Sequence, residues 1–296
     1  MLLGALEAGG TKMVCSTGDE TGRIYARQSF PTTTPAETMP RILDFFRGAQ
    51  IEALGIGSFG PLDLKESSPA FGSITSTPKE AWRFFALLPS LRAGLCVPMR
   101  LDTDVNAAAL GEYTLGAAAG LSSCLYVTVG TGVGGGLVAE NQLVHGLVHP
   151  EFGHFYLKPH PDDPAPRGFC PYHEGCVEGL VSGPSIEKRW GAKARLLPEN
   201  HPAWALEAHY LAQMCMAAIL VLSPEKIILG GGVMRQKHLF PPVRENVRDM
   251  LGGYVRHPAI LEDTDTFIVP PGLGENSGVT GALLLAARAA RENTPC

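Results

Sequence analysis

Leu2-Leu3-Gly4-Ala5-Leu6-Glu7-Ala8-Gly9-Gly10-Thr11-Lys12-Met13-Val14-Cys15-Ser16-Thr17 opens the chain as two short apolar runs around a Gly-Gly turn. Runs of this length suit strands better than helices, so the pattern predicts strands over 2–6 and 13–17 joined by a tight turn. Ile24 to Phe30 extends the same sheet. Thr34 before Pro35 marks a helix start, and the helix is expected over 35–47. Leu54 to Ser58 and Met99 to Asp102 read as buried strands, and Val105 to Leu115 follows as an Ala-rich helix. The opening grammar then returns. Leu125 to Val129 is a β-branched strand, Gly130 to Gly136 a glycine-rich turn, and Leu137 to Val144 the returning arm of a hairpin. Ala203 to Leu222 reads as a long apolar helix, Lys226 to Leu229 as a strand ending on Gly230-Gly231-Gly232, and Ser277 to Arg291 as a final helix. Strands alternating with helices define an α/β chain. Two similar strand–turn–strand openings predict two domains of related design, with a ligand cleft between them.

Composition narrows the partners. The chain has 296 residues, 45% of them hydrophobic, which is ample for a large core. A net charge of −5 with no basic stripe argues against nucleic acid as a partner. Apolar runs such as Ala282 to Ala287 fall far short of a membrane span, and the N-terminus has no basic leader region, so no membrane partner is expected. There are seven cysteines. Cys15, Cys96, Cys124 and Cys215 sit singly among apolar residues and are expected to be buried and reduced, which fits a cytoplasmic location.

Three glycine turns each follow a strand: Gly9-Gly10-Thr11-Lys12, Gly130 to Gly136, and Gly230-Gly231-Gly232. Without a Cβ in the way, backbone N–H groups can approach an anion closely. Thr11 and Thr131 add hydroxyls and Lys12 a cation, so together the turns point to phosphate. No G-x-x-x-x-G-K-[ST] occurs, which excludes a P-loop, and the glycine run at 130–136 leads into a hairpin rather than the helix of a dinucleotide site. Cys170, His173 and Cys176 follow C-x-x-H-x-x-C spacing, which suits tetrahedral Zn²⁺ with a fourth ligand to be found. His145, His149, His154 and His160 are the nearby candidates.

These segments resemble, in order along nearly the whole chain, the motifs of the ROK family of repressors and sugar kinases. Glu7 to Lys12 is similar to its D-x-G-G-T-K phosphate loop, with Glu7 in place of Asp. Leu101 to Ala109 resembles its N-D-x-N-A-A segment, with Thr103 in place of Asn, and Gly130-Thr131-Gly132-Val133-Gly134 resembles its second phosphate loop. Glu151-Phe152-Gly153-His154 resembles its E-x-G-H motif, and Cys170 to Glu178 its zinc segment. Thr-Pro-Lys at 77–79 with Trp82, and Cys-Pro-Tyr-His at 170–173, resemble the bacterial fructokinase branch. The resemblance implies a two-domain actin-like ATPase (hexokinase, ribonuclease H-like) fold, with domains at 1–118 plus the returning helix 277–296 and at 119–276. It implies ATP-dependent phosphorylation of D-fructose with Mg²⁺, a structural Zn²⁺, and a cytoplasmic homodimer acting on small molecules. It assigns Asp104 as general base, a position where an N-cap is the plainer reading.

The resemblance further places Gly9, Gly10, Thr11, Lys12, Thr131, Gly132, Pro184, Gly231, Gly232, Val233, Met234, Arg235 and Gln236 around ATP. Thr103, Asp104, Glu151, His154 and Glu178 would meet the sugar, and His154, Cys170, His173 and Cys176 would hold zinc. Lys79 and Trp82 are candidates for a sugar-side lid. A glucose, mannose or N-acetylmannosamine kinase is the alternative, and a non-catalytic sugar sensor a second one. A repressor would need a DNA-binding domain ahead of the first loop, which here starts at Glu7.

Overall fold

A sheet in the order β3-β2-β1-β4-β5 forms the frame of the first unit. Its strands are β1 (Leu3–Ala8), β2 (Lys12–Gly18), β3 (Ile24–Pro31), β4 (Ala53–Ser58) and β5 (Met99–Thr103). The opening hairpin pairs β1 with β2 in antiparallel register, Leu6 opposite Cys15, and β4 and β5 then add in parallel. The computed structural model describes residues 1–292, so the last four residues of the predicted 277–296 segment lie outside the described residues. Met1–Gly120, Gln142–Pro150 and the described residues from Gly272 onward form this unit, and Leu121–Asn141 with Glu151–Pro271 a second.

Period-two alternation in β1 decides which core each residue joins. Leu6 and Ala8 pack with Ile42 and Phe46 of α1 (Pro35–Ala49) and with Leu88 and Leu91 of α2 (Leu87–Gly94). Leu3 and Ala5 face the other way, against Val279, Ala282, Leu283 and Ala286 of α10 (Ser277–Arg291). Helix α10 lies unusually close to the sheet. A Cβ at Gly55 of β4 would stand 1.8 Å from the carbonyl oxygen of Ala282, and one at Gly281 would stand 1.6 Å from that of Ala107 in α3 (Asp104–Leu115). Only glycine permits backbones this near. The short strand β8 (Gln142–Leu143) belongs to this unit and packs beside α3.

The second unit repeats the connectivity with β6 (Cys124–Val129), β7 (Val133–Ala139), β9 (Ile227–Gly230) and β10 (Ile268–Val269) in the order β10-β9-β6-β7. Here β6 and β7 are antiparallel, and β9 and β10 join in parallel. The glycine turn is shorter than 130–136. The returning strand begins at Val133, so Gly134, Gly135 and Gly136 lie inside it, opposite Thr128, Val127 and Tyr126. Their smallness serves packing: a Cβ on Gly135 would come within 2.7 Å of Phe152.

Helices α4 (Val177–Val181), α5 (Gly183–Trp190), α6 (Ala203–Leu222), α7 (Phe240–Leu251), α8 (Pro258–Leu261) and α9 (Thr264–Phe267) complete the second unit. Helix α6, with mean hydropathy 1.5, is long and apolar enough by composition to cross a bilayer, which corrects the expectation that every apolar run falls short. It is the core helix of this unit, with Trp204, Leu206, Tyr210, Leu211, Met214 and Cys215 all buried. Cys15, Cys124 and Cys215 are buried as expected. Cys96 is exposed, because it follows the end of α2 in a surface turn.

Candidate active site

In the first unit, the chain leaves β5 at Thr103 and enters α3 at Asp104. Thr103 is the cap of this helix: its Oγ1 accepts from the Asn106 N–H at 3.0 Å. Asp104 is therefore freed from the capping role. Its Oδ1 accepts from the Val105 N–H at 2.9 Å. The carboxyl sits at the head of a helix but is half-buried, and desolvation pushes it up to about 6 against the N–H groups of Val105 and Asp104. Ahead of it, Gly57 of β4 gives clearance, since a Cβ there would lie 3.3 Å from the Asp104 Cα.

The β1–β2 turn lies in the same unit. Gly9 N–H donates to the Lys12 carbonyl at 3.0 Å, closing the turn, while Thr11 and Lys12 are exposed. Glu7 at the end of β1 has its carboxyl raised above the ordinary range. Burial is the main cause and the charge of Asp104 the next, with Lys12 and Arg27 pulling the other way. Lys79, a candidate for the lid, lies half-buried against this turn, its Cε 3.3 Å from where a Cβ of Gly10 would be. Trp82 is no lid. It is 1% exposed, stacks edge-on with Phe59 and Phe85, and donates from Nε1 to the Thr33 carbonyl at 2.6 Å. A large indole with one satisfied polar atom belongs in the core.

In the second unit, a groove of about 420 Å³ brings together Thr131, Pro184, Gly232 and Val233 from the sequence-derived set. It adds Glu187, Lys193 and Arg195, which sequence reading missed. The alternating cations of Lys193-Ala194-Arg195, just after the α5 terminus at Gly191, were the available signal. Gly183 N–H donates to the Gly130 carbonyl at 2.8 Å, which ties the head of α5 to the turn after β6. Gly231, Met234, Arg235 and Gln236 flank the groove without lining it, and Met234 is buried at 2%. Glu178 Oε2 accepts from the Val133 N–H at 3.0 Å and stands 2.6 Å from where a Cβ of Gly132 would be. The acid assigned to sugar thus braces the second glycine turn. Glu151 is exposed, and its carbonyl accepts from the His154 N–H at 3.1 Å.

His154, Cys170, His173 and Cys176 come together. Glu178 N–H donates to Gly153 O at 2.8 Å and Val177 N–H to Phe155 O at 3.1 Å, laying the two segments side by side. The Cys170 Sγ lies 4.0 Å from His154 Nδ1 and 3.8 Å from His173 Nδ1, and the Cys176 Sγ lies 3.9 Å from His154 Nδ1. Tetrahedral ligands about 2.0–2.3 Å from a zinc ion stand roughly 3.3–3.8 Å apart, so two thiols and two imidazoles at these separations need only a slight contraction to hold that ion. The other histidines are engaged elsewhere: His145 with Asp102, His149 Nε2 with the Leu62 N–H at 2.9 Å, and His160 Nδ1 with the Asp162 N–H at 3.1 Å.

The sequence model of the ROK family matches residues 3–289. A fructokinase of Pediococcus pentosaceus is 45% identical over 289 residues, 98% of this chain and 99% of its own length. A fructokinase of Streptococcus mutans is 40% identical over 295 residues, 98% of each chain. The solved structure of a ROK family glucokinase from Streptomyces griseus, in complex with glucose and AMPPNP, superposes with a TM-score of 0.77 at 25% identity, covering 97% of this chain and all of that one. The chain belongs to the ROK family and has its actin-like ATPase fold.

Proposed function

We propose that this ROK-family chain is a fructokinase, transferring the terminal phosphoryl group of ATP to D-fructose to give ADP and fructose 6-phosphate. The observation that carries the reading is the half-buried carboxylate of Asp104, freed from capping by Thr103 and set at the head of α3 in the unit that holds the first glycine turn. The full-length likeness to fructokinases supports the choice of sugar.

A carboxyl raised to about 6 is ionised at neutral pH and more basic than an ordinary aspartate. Asp104 would take the proton from the fructose hydroxyl as that oxygen attacks phosphorus. Thr103, Glu151, His154 and Glu178 are assigned to the sugar, where carboxylates accept from hydroxyl pairs. Gly9, Gly10, Thr11 and Lys12 would hold phosphate, aided by Lys79. Thr131, Gly132, Pro184 and the 231–236 segment would hold the nucleotide, with Lys193 and Arg195 as additional cations. Phosphoryl transfer needs little beyond position and charge neutralisation. Glu7 is the group suited to approach Mg²⁺, because a cation would relieve the repulsion from Asp104 that helps raise its carboxyl. When bound, Mg²⁺ screens the phosphate charge. His154, Cys170, His173 and Cys176 would hold Zn²⁺ in a closed structural site, fixing the loop that carries Glu151 and Glu178. A cytoplasmic homodimer is the assembly that the family resemblance favours.

The test is coupled ADP release with ATP and Mg²⁺ across fructose, glucose, mannose and N-acetylmannosamine. Preference for fructose is expected. Turnover on another of these sugars would keep the mechanism and overturn the substrate, and silence on all four from folded, zinc-loaded protein would overturn the kinase reading.

A further inference from the structure

Behind Asp104 lies a second carboxylate that the reaction does not use. Asp102 is 5% exposed and fully engaged. Its Oδ1 accepts from the Thr103 N–H and from Asn106 Nδ2, both at 2.8 Å, and its Oδ2 lies 2.9 Å from His145 Nε2. Asn106 is buried too, and its amide oxygen has no hydrogen-bond partner. Its amide is therefore turned so that nitrogen meets Asp102, at the cost of an orphaned acceptor. The two bonds of Asn106, from Nδ2 to Asp102 and from its N–H to Thr103, close a small cage around residues 102–106, and Asp104 stands on that cage.

The outer wall of the cage is His145, on the segment 142–150, which belongs to the same compact unit. Its Nε2 lies 2.9 Å from the Asp102 carboxylate and 3.4 Å from the Asn106 amide nitrogen, and the Leu143 backbone also bonds the ring. Beside a buried carboxylate at 2.9 Å, the imidazolium form makes the stronger, charge-assisted bond. We infer that His145 is a positioning residue whose imidazolium, paired with Asp102, holds the turn that carries Asp104. The inference rests on the kinase reading for its effect on rate, but not for the cage itself.

The surroundings agree. The Asp102 bond and charge raise His145 above its ordinary value, while burial and the charge of Arg100 oppose. Arg288 of α10 is a further cation near Asp102 and Arg100, and His149 is the other titrating group close to His145, itself lowered mainly by burial. His145 should thus titrate above about 6.5 and His149 below it, so the two are separable. Once His145 loses its proton, the charge that reinforces its bond to Asp102 is gone, and turnover should fall on the alkaline side.

Two measurements decide this. In NMR of the full chain, the His145 ring should titrate above the ordinary histidine value, move down in Asp102→Asn, and carry the Thr103 and Asn106 amides with the same midpoint. A free-imidazole titration in the wild type, or amides that do not follow it, would overturn the inference whether or not the protein phosphorylates fructose. In kinetics, His145→Gln keeps one donor that does not titrate. It should retain kcat within about threefold at neutral pH while losing the alkaline limb. His145→Ala should lower kcat about tenfold at nearly unchanged KM for ATP, as expected when a base is slightly misplaced. An alkaline limb that survives in His145→Gln would remove His145 as the positioning group. A wild type inactive on fructose would fell only the substrate reading, with the NMR result still deciding the cage.

Discussion

Asp104 separates what a residue type announces from what its setting makes of it. A carboxylate after a strand and before a helix is most often a cap. Here the threonine one position earlier takes the cap, and desolvation raises the aspartate to about 6. Asp104→Asn should lower kcat by about 10³-fold while fructose affinity by calorimetry stays near wild type, since an amide keeps the size and loses the base. A rate within about tenfold of wild type would remove Asp104 from the chemistry. In the wild type, kcat should fall as pH drops through about 6, because the base is then protonated. The motif around Asp104 was legible in the sequence. The cap was not, because Thr103 and Asp104 are both good caps and only backbone geometry chooses between them. Lys79 was not legible either. Its approach to Gly10 is a tertiary contact across distant chain, with no local pattern to announce it.

Elements in this fold are fixed by close backbone approach and by buried acceptors more than by helix propensity. Glu112, wholly buried in α3, accepts from Ala117 N–H at 2.8 Å, Gly272 N–H at 2.9 Å, Leu273 N–H at 3.0 Å and Ser277 Oγ at 2.7 Å. It thereby seats the start of α10, whose glycine and alanine face meets β4 and α3. Glu112→Ala strands those donors and should cost about 3 kcal/mol, read as a lower urea midpoint. A loss below about 1 kcal/mol would show that water replaces the carboxylate. Periodicity located α10, α3 and the opening hairpin within a few residues. It mislaid the second glycine turn, because a glycine run reads as loop whenever its neighbours are unseen. Gly134 to Gly136 are strand, kept small by Phe152 lying over Gly135. Likewise, Trp82 and Cys96 could not be assigned to core and surface from sequence, since each depends on which way its turn faces.

For the molecule as a whole, the repeated opening made the two-unit plan legible. What the sequence could not show is what each unit conceals or stores. The second unit conceals Glu207 in α6, wholly buried, with one carboxyl oxygen unpartnered and the group held well above its ordinary value by burial, against the pull of Arg189. A raised acid contributes stability that is full below about 4.5 and lost as pH rises through its folded value. Glu207→Gln should therefore raise Tm more at pH 8 than at pH 5, and equal gains at both would disprove a buried ionisation. The same unit stores its loop geometry in His154, Cys170, His173 and Cys176. These frame, between residues 154 and 176, a proline- and glycine-rich segment that has little apolar surface to bury, so a metal is the natural source of its order. Cys170→Ser removes one of two thiolates, and with it most of the affinity for Zn²⁺. Metal analysis should find about one zinc per chain in the wild type and almost none in the variant. Losing about 3 kcal/mol should lower Tm by roughly 6–12 °C. Strong chelation of the wild type should reproduce the shift, and added zinc should reverse it in the wild type alone. If instead the wild type carries no zinc and the chelator leaves Tm unchanged, the four side chains are an ordinary polar cluster, and the order of the 151–178 loop must come from the backbone ladder that Gly153 and Phe155 make with Glu178 and Val177.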